Sequence, residues 1–437
     1  MRVLFTSLPA NSHFYNLVPL AWALRVAGHD VRVAVRPDAA DMVTNAGLTA
    51  VPVGEPVDVV AAAATSGYSP HGRKIPADGL PGMELFDQVG SGDYFEGKGK
   101  HLLHIDDRLL EDLVWFGTQW RPDLVIWDAA AYSGPVVAHI LGVPHVRVLF
   151  AMDLVGWHRS RLSKDRADGL RDVLAGSLGR FGVGFAEEVA VGQATIEQIP
   201  SWMRLPVELE YIPVRFVPYN GPAVIPRWLD EPPAKPRICV SLGLTRRSIA
   251  AGAGSLEEFI DSERKAVKIL LRGAAGLDVE VIATLTADEA REIGPLPGNV
   301  RIHDYVPLHE LLRTCSAIIH HGGTTTQETA AINGVPQLIL PGLYWDEPRR
   351  AELLAARGAG LVLDRERLTE AHVGDQLARL LTEPSFAANA ATIRQEAQAA
   401  PSPHDIVPRL EALVAEHEKN TERPVLAADK ERDFSAP

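Results

Sequence analysis

The sequence predicts an α/β protein built from two doubly wound parallel sheets that face each other across a cleft. Three observations carry this. Apolar, β-prone runs alternate with helical spacing through about the first 150 residues, a proline-dense stretch interrupts the pattern near residues 213–237, and the same alternation then begins afresh. With 437 residues the chain is also too long for one ordinary core, since domains average roughly 150 residues.

The opening RVLFTS reads as a strand, SLPANSH as the loop that breaks it, FYNLVPLAWALRVAG as a helix closed by Gly28, and HDVRVAV as a second strand. A helix from about Asp38 to Ala46 and the strand TAVPVG complete consecutive βαβ units, which require a parallel sheet. Further on, PDLVIWD and HVRVLF are strands flanking the helical SGPVVAHILG. Before them, after TAVPVG, residues from about Ala62 to Lys100 hold a glycine-rich stretch without a sustained period, read as long mobile loops with short helices. Pro213, Pro218, Pro222, Pro226, Pro232, Pro233 and Pro236 make a semi-rigid linker. Beyond it, the strands RICVSLG, VEVIATL, NVRIHDYV, AIIHH, QLILP and GLVL alternate with helices, the first from about Ser255 to Ala275. Helices continue from about Thr369 through LEALVAEHE. The expected division is therefore 1–215 for one domain, 216–236 for the linker, 237–418 for a second domain including the C-terminal helices, and 419–437 for a frayed tail.

Composition excludes several function classes. Lys plus Arg number 43 against 56 Asp plus Glu, and the net charge of −13 argues against a nucleic-acid surface. Hydrophobic content of 46% with 23% charged residues fits a globular chain with a large interior. The start, MRVLFTSLPA, predicts neither a signal peptide nor a membrane span. Cys239 and Cys315, both within apolar stretches, cannot build a disulfide framework or a cysteine metal cluster, which fits a reducing cytoplasm.

Open α/β sheets bind ligands beyond the carboxyl ends of their strands, so the loops there carry the functional argument. The loop after the first strand lacks G-x-G-x-x-G, which lowers a hydride-transfer reading. It places His13 where the next helix begins, either as a base near neutral pKa or as a polar residue capping a helix. Asp128, ending PDLVIWD on the same sheet edge, could orient that imidazole or cap the following helix. In the later text AIIHHGGTTTQETAAINGVPQLILP, Gly322 and Gly323 permit close backbone approach, and Thr324, Thr325 and Thr326 open a helix with hydroxyls and free amides. This is an anion site without the Lys or the spacing of a P-loop, and it suits a pyrophosphate. Asp346 and Glu347 in the next strand-end loop suit hydroxyls, and phosphate with polyol points to a nucleotide sugar.

The text HHGG…GVPQLILP…WDE…RGAG resembles the donor-binding signature of two-domain GT-B natural-product glycosyltransferases of the family 1 type. The resemblance extends over nearly the whole chain. SHFYNLVPLAWALRVAGHDVRVAV, WRPDLVIWDA, RFVPYNGPAVIPRWL and EPSFAANAATIRQE are similar to the subgroup that moves deoxy- and aminosugars onto polyketide, macrolide-like aglycones in antibiotic biosynthesis. Within it, the run from His320 to Ala355 is similar to members that transfer forosamine.

The resemblance implies roles position by position. His13 falls at the general base and Asp128 at its acidic partner. His321, Gly323, Thr324, Thr325 and Thr326 fall at the turn that holds the donor diphosphate, with Ser241 near the phosphates. Val306 falls where main chain pairs with the nucleobase, and Asp346 and Glu347 where a pair faces the donor sugar. Thr325 departs from the small residue usual there, so either the turn is displaced or its hydroxyl donates a hydrogen bond. Arg246 and Arg247 could clamp the diphosphate or simply solvate a loop. The implied reaction is inverting transfer from a TDP-sugar co-substrate with no metal and no other cofactor. The first domain, with its loops over 62–120 and Trp157, would take the apolar aglycone, and Trp157 could equally be ordinary core. A haem-less, cytochrome-P450-like helper protein and a homodimer are the further partners implied. Two other readings stand beside this one: a nucleotide-sugar epimerase of the same architecture, and a catalytically silent binding or activator protein with the fold.

Overall fold

A computed structural model of the chain describes residues 1–57, 105–162, 168–242, 257–342 and 346–420. The glycine-rich stretch 62–100, Arg246 and Arg247, and the end of the tail from 421 lie outside the described residues.

Seven parallel strands make the first sheet: β1 (Arg2–Thr6), β2 (Asp30–Val35), β3 (Thr49–Pro52), β4 (Leu124–Asp128), β5 (His145–Val148), β6 (Ala194–Glu197) and β7 (Tyr211–Pro213), in the order β3-β2-β1-β4-β5-β6-β7. β4 is buried along its whole length, as a strand covered by helices on both faces must be. Helix Val18–Val26 turns Val18, Leu20, Ala21 and Leu24 inward, and Pro19 in its first turn has no missing donor to regret. Helix Asp107–Trp120 is started by Asp106, whose side chain accepts the Leu109 N–H at 3.1 Å. β6 and β7, of four and three residues, are too short to show a period and were not expected from sequence.

The second sheet has six parallel strands: β8 (Arg237–Ser241), β9 (Glu280–Thr284), β10 (Val300–His303), β11 (Ala317–His320), β12 (Gln337–Ile339) and β13 (Gly360–Val362), ordered β10-β9-β8-β11-β12-β13. In both sheets the chain winds outward in one direction and then in the other. The reversal falls between β1 and β4 in the first sheet and between β8 and β11 in the second. Loops leaving two strands at such a reversal diverge and open a crevice. Thr6 pairs with Trp127 beside the first crevice, and Ser241 with His320 beside the second.

The halves are joined by apolar packing as well as by the linker. Met152, Leu154, Trp157, Ile199 and Met203 form one buried cluster with Ala331, Ile339, Leu354 and Ile393. Trp157 is thus core between the halves, the second of its two expected roles. The last helix, Val407–Asn420, also departs from expectation. Assigned by sequence to the second domain, it seats Val407, Leu410 and Val414 on the core of the first sheet. An amphipathic helix needs an apolar partner, and its pattern does not say which domain supplies it.

Candidate active site

At the second switch point the chain leaves β11 through His321, Gly322 and Gly323 into the helix Thr324–Asn333. Gly322 has φ +92°, a conformation L side chains rarely adopt, and a Cβ on Gly323 would lie 2.6 Å from His321 Nε2. The His321 imidazole therefore lies close over the helix start. Among the described residues no side chain caps this helix, so the first-turn amides of Thr324, Thr325 and Thr326 are offered outward together with the positive end of the helix dipole.

Buried side chains hold the turn from beneath. The N–H of Gly322 donates to His320 Nδ1 at 3.0 Å, which leaves His320 Nε2 to carry the proton toward Gln337 Oε1 at 2.8 Å. Burial, assisted by the nearby Arg350 charge, pushes the His320 imidazole down to about 4, so it is neutral. Arg350 donates to the Gly322 carbonyl at 2.7 Å, to Gln327 Oε1 at 2.7 Å and to Asp346 Oδ2 at 2.9 Å. Neither His320 nor Arg350 was singled out in the sequence, although the doubled histidine was visible there.

A cleft of about 920 Å³, including its open mouth, lies in front of the turn. Ser241, Val306, His321, Gly323, Thr324, Thr325 and Thr326 all line it, so seven of the residues expected at the donor converge on one space. Ser241 accepts from Thr284 Oγ1 at 3.1 Å and terminates β8 beside the turn. Sequence reasoning missed the wall opposite, where Asn11, Ser12 and Tyr15 arrive from the first half and Asn220 from the linker. Tyr305 donates to the Asn220 carbonyl at 2.7 Å, and Asn220 Oδ1 takes bonds from the His309 N–H at 3.3 Å and from its ring at 2.7 Å. The linker is thereby pinned to the second domain next to Val306; the YNG turn within the proline-rich text was the available signal.

At the first switch point, His13 sits on a short helix, Asn11–Phe14, following β1, and Asp128 ends β4. Their side chains meet, Nδ1 to Oδ2, at 2.8 Å. Asp128 Oδ1 also accepts the Ala130 N–H at 2.8 Å, a local turn; the following helix, Ser133–Leu141, begins at Tyr132 without a side-chain cap, so of the two roles weighed for Asp128 the contact with the imidazole is the one formed. No side-chain cap exists at the Asn11–Phe14 helix, which leaves the capping role of His13 without a bond. Phe150 packs on the imidazole with ring centroids 4.5 Å apart, and the His13 side chain keeps 18% exposure. With Nδ1 engaged by Asp128, Nε2 is the nitrogen available to a hydroxyl. His13 and Asp128 stand beside the cleft and do not line it; Asn11 and Ser12, just upstream, do.

Neither Asp346 nor Glu347 lines the cleft, and the expectation for Asp346 needs correction. Asp346 is only 1% exposed, and its Oδ2 accepts from Arg350 Nε and, at 2.7 Å, from the Met152 N–H of the first half. An arginine four residues later on the same helix face draws the carboxylate inward. Glu347 starts that helix with Oε1 4.0 Å from His321 Nε2. The Thr325 hydroxyl donates to Asn16 Oδ1 of the first half at 3.4 Å.

Among the described residues no cluster of His, Cys, Asp or Glu could hold a metal ion, and no helix is long and apolar enough to cross a membrane.

Two parallel sheets, each with a crevice at its switch point, an anion-binding helix start at one and a paired histidine and carboxylate at the other, define a two-domain glycosyltransferase of the GT-B class. The comparisons agree. Residues 22–243 match the N-terminal domain, and residues 268–413 the C-terminal domain, of the family described as erythromycin biosynthesis protein CIII-like, and the chain belongs to that family. The aclacinomycin-T 2-deoxy-L-fucose transferase of Streptomyces galilaeus is 43% identical over 96% of this chain and 98% of its own. Among solved structures, spinosyn forosaminyltransferase SpnP is 56% identical, with a TM-score of 0.79 over 95% of this chain and 99% of its own. Glycosyltransferase VinC, solved in complex with DTDP, is 40% identical with a TM-score of 0.80 over 95% and 100%. These relatives are sugar transferases, and the epimerase reading has no support among them.

Proposed function

We propose that the chain is an inverting transferase that moves a deoxyaminosugar from a TDP-sugar to a hydroxyl of an apolar polyketide aglycone of antibiotic metabolism, in the cytoplasm. His13 Nε2 takes the proton of the acceptor hydroxyl as its oxygen bonds the anomeric carbon. Asp128 steadies the resulting imidazolium. The bond from the anomeric carbon to the diphosphate breaks on the opposite face, and TDP leaves with the electron pair. The charge gained there is met by the Thr324–Thr326 amides, His321 and the Thr326 hydroxyl, which stabilise it more in the transition state than in the ground state. Ser241 adds a hydroxyl near the phosphates, and Val306 offers main chain to the pyrimidine. Of the two carboxylates, Glu347, with 13% exposure beside His321, is the one assigned to a sugar hydroxyl. Asp346 acts as a strut. The helix start supplies the positive field a metal would otherwise provide, so chelation with EDTA is expected to leave the rate unchanged.

The observation that carries the reading is the convergence of seven expected donor residues on one cleft, whose other wall comes from the segment bearing His13. The test is product analysis: purified protein with a TDP-deoxyaminosugar and a macrolide-like aglycone should give a glycoside of inverted anomeric configuration by NMR. Free sugar or an epimerised donor would reject it, and no turnover either with or without a cytochrome-P450-like helper would reject it in favour of the silent binding protein. Adding a cytochrome-P450-like helper tests the implied partner through the same rate, and sedimentation tests the homodimer.

A further inference from the structure

Asn16 follows His13 by three residues and is buried, and each of its polar groups is committed. Its N–H donates to the His13 carbonyl at 3.3 Å. Its Nδ2 donates to the Ser12 carbonyl at 2.8 Å, and its own carbonyl accepts from Gln198 Nε2 at 2.8 Å. These three bonds fasten the turn that carries His13 within the first half. The fourth links the two halves: because Nδ2 is turned to Ser12, Oδ1 faces the other way and accepts from Thr325 Oγ1 at 3.4 Å. Thr325 is the second residue of the helix whose amides face the cleft, so one residue offers its N–H to an anion and its hydroxyl to the base segment.

We propose that Asn16 is a positioning residue that registers the His13 base against the diphosphate turn through the Thr325 hydroxyl, so that turnover depends on it and donor affinity does not. The inference rests on the transfer reaction proposed above. At 3.4 Å the contact is at the long limit of a hydrogen bond, enough to hold the lobes in register without locking them. Proximity effects make catalysis sensitive to sub-ångström placement, whereas the diphosphate is met by the second domain alone. A second crossing, Asp346 Oδ2 to the Met152 N–H, reaches the loop that carries Phe150 against the His13 ring. That one cannot be removed cleanly, since it would strand the Arg350 charge. Removing the Thr325 hydroxyl strands no charge.

The test is a double-mutant cycle on the full chain with Asn16→Ala and Thr325→Val, together with Thr325→Ser. Each of the first two should lower kcat about tenfold, the scale of one hydrogen bond, with the Kd for thymidine diphosphate within about twofold of wild type. Thr325→Ser, which keeps the hydroxyl, should lose less of the rate than Thr325→Val. The double variant should be no slower than the slower single one. A wild-type rate for Thr325→Val, losses that multiply, equal losses for Ser and Val, or an effect confined to Kd would each overturn the proposal. Should Asn16→Ala fail to fold, the Thr325 pair decides alone. If the wild-type chain transfers no sugar, the functional reading has failed and the strap loses its reaction; if it does and the cycle is additive, only the strap has failed.

Discussion

At the second switch point the protein offers backbone amides and fixes them from below with His320, Gln327, Gln337 and Arg350, whereas at the first it offers one imidazole held by a 2.8 Å bond to Asp128 and the face of Phe150. The difference fits the work proposed for each. Charge on a leaving diphosphate is best met by dipoles that need not reorganise, and only a buried, bonded backbone keeps amides so still. A base must reach a hydroxyl and move a proton, so it has to be a side chain with an open nitrogen. The donor side is thus a property of the fold, and the acceptor side a property of a few contacts.

The contrast yields predictions of decreasing size. His13→Ala removes the proposed base and should lower the single-turnover rate about a thousandfold while thymidine diphosphate binds as before by calorimetry. Loss of donor binding instead would mean the two sides are not separable. Thr326→Val or His321→Ala should slow turnover by roughly a hundredfold, the cost of one oxyanion donor, in the same single-turnover assay.

Acid and base should then each weaken the donor side, through different groups. His320 is held near pH 4 by burial, below its ordinary 6.5, so the folded state binds fewer protons than the unfolded chain between those values. Its stability contribution is complete above 6.5 and is lost as pH falls toward 4, which thermal melts should show as a falling Tm. Glu328, buried on the same helix as the Thr-rich turn, is raised by burial from 4.5 to about 7, with Asp346 adding to the rise and Arg350 opposing it. There the folded state binds more protons, and stability is complete below 4.5 and lost as pH rises toward 7. Glu328→Gln, permanently neutral, should therefore raise Tm by about 2–4 °C at pH 8 and leave it unchanged at pH 4. An equal shift at both pH values would show that size, not ionisation, is at issue.

Much of this was legible in the chain. Strand–helix alternation implied both sheets, and the Gly322–Thr326 text implied an anion site because glycine and helix-start amides act locally. The pairing of His13 with Asp128 followed from both lying at carboxyl ends of strands in one sheet. What escaped was competition between partners. The spacing that lets Asp346 meet Arg350 is plain in DEPRR, but whether a carboxylate bonds an arginine or a sugar depends on burial, which a periodicity does not report. The seat of the last helix on the first sheet, the short β6 and β7, and the choice of Asn16 by Thr325 are likewise long-range packing outcomes.

The most direct test is a crystal structure of the protein with thymidine diphosphate. The account predicts the β-phosphate on the amides of Thr324, Thr325 and Thr326 with His321 within hydrogen-bond reach, the base beside Val306, and His13 Nε2 facing the phosphate across the cleft. A nucleotide bound elsewhere, or a His13 ring released from Asp128 and turned to solvent, would contradict it.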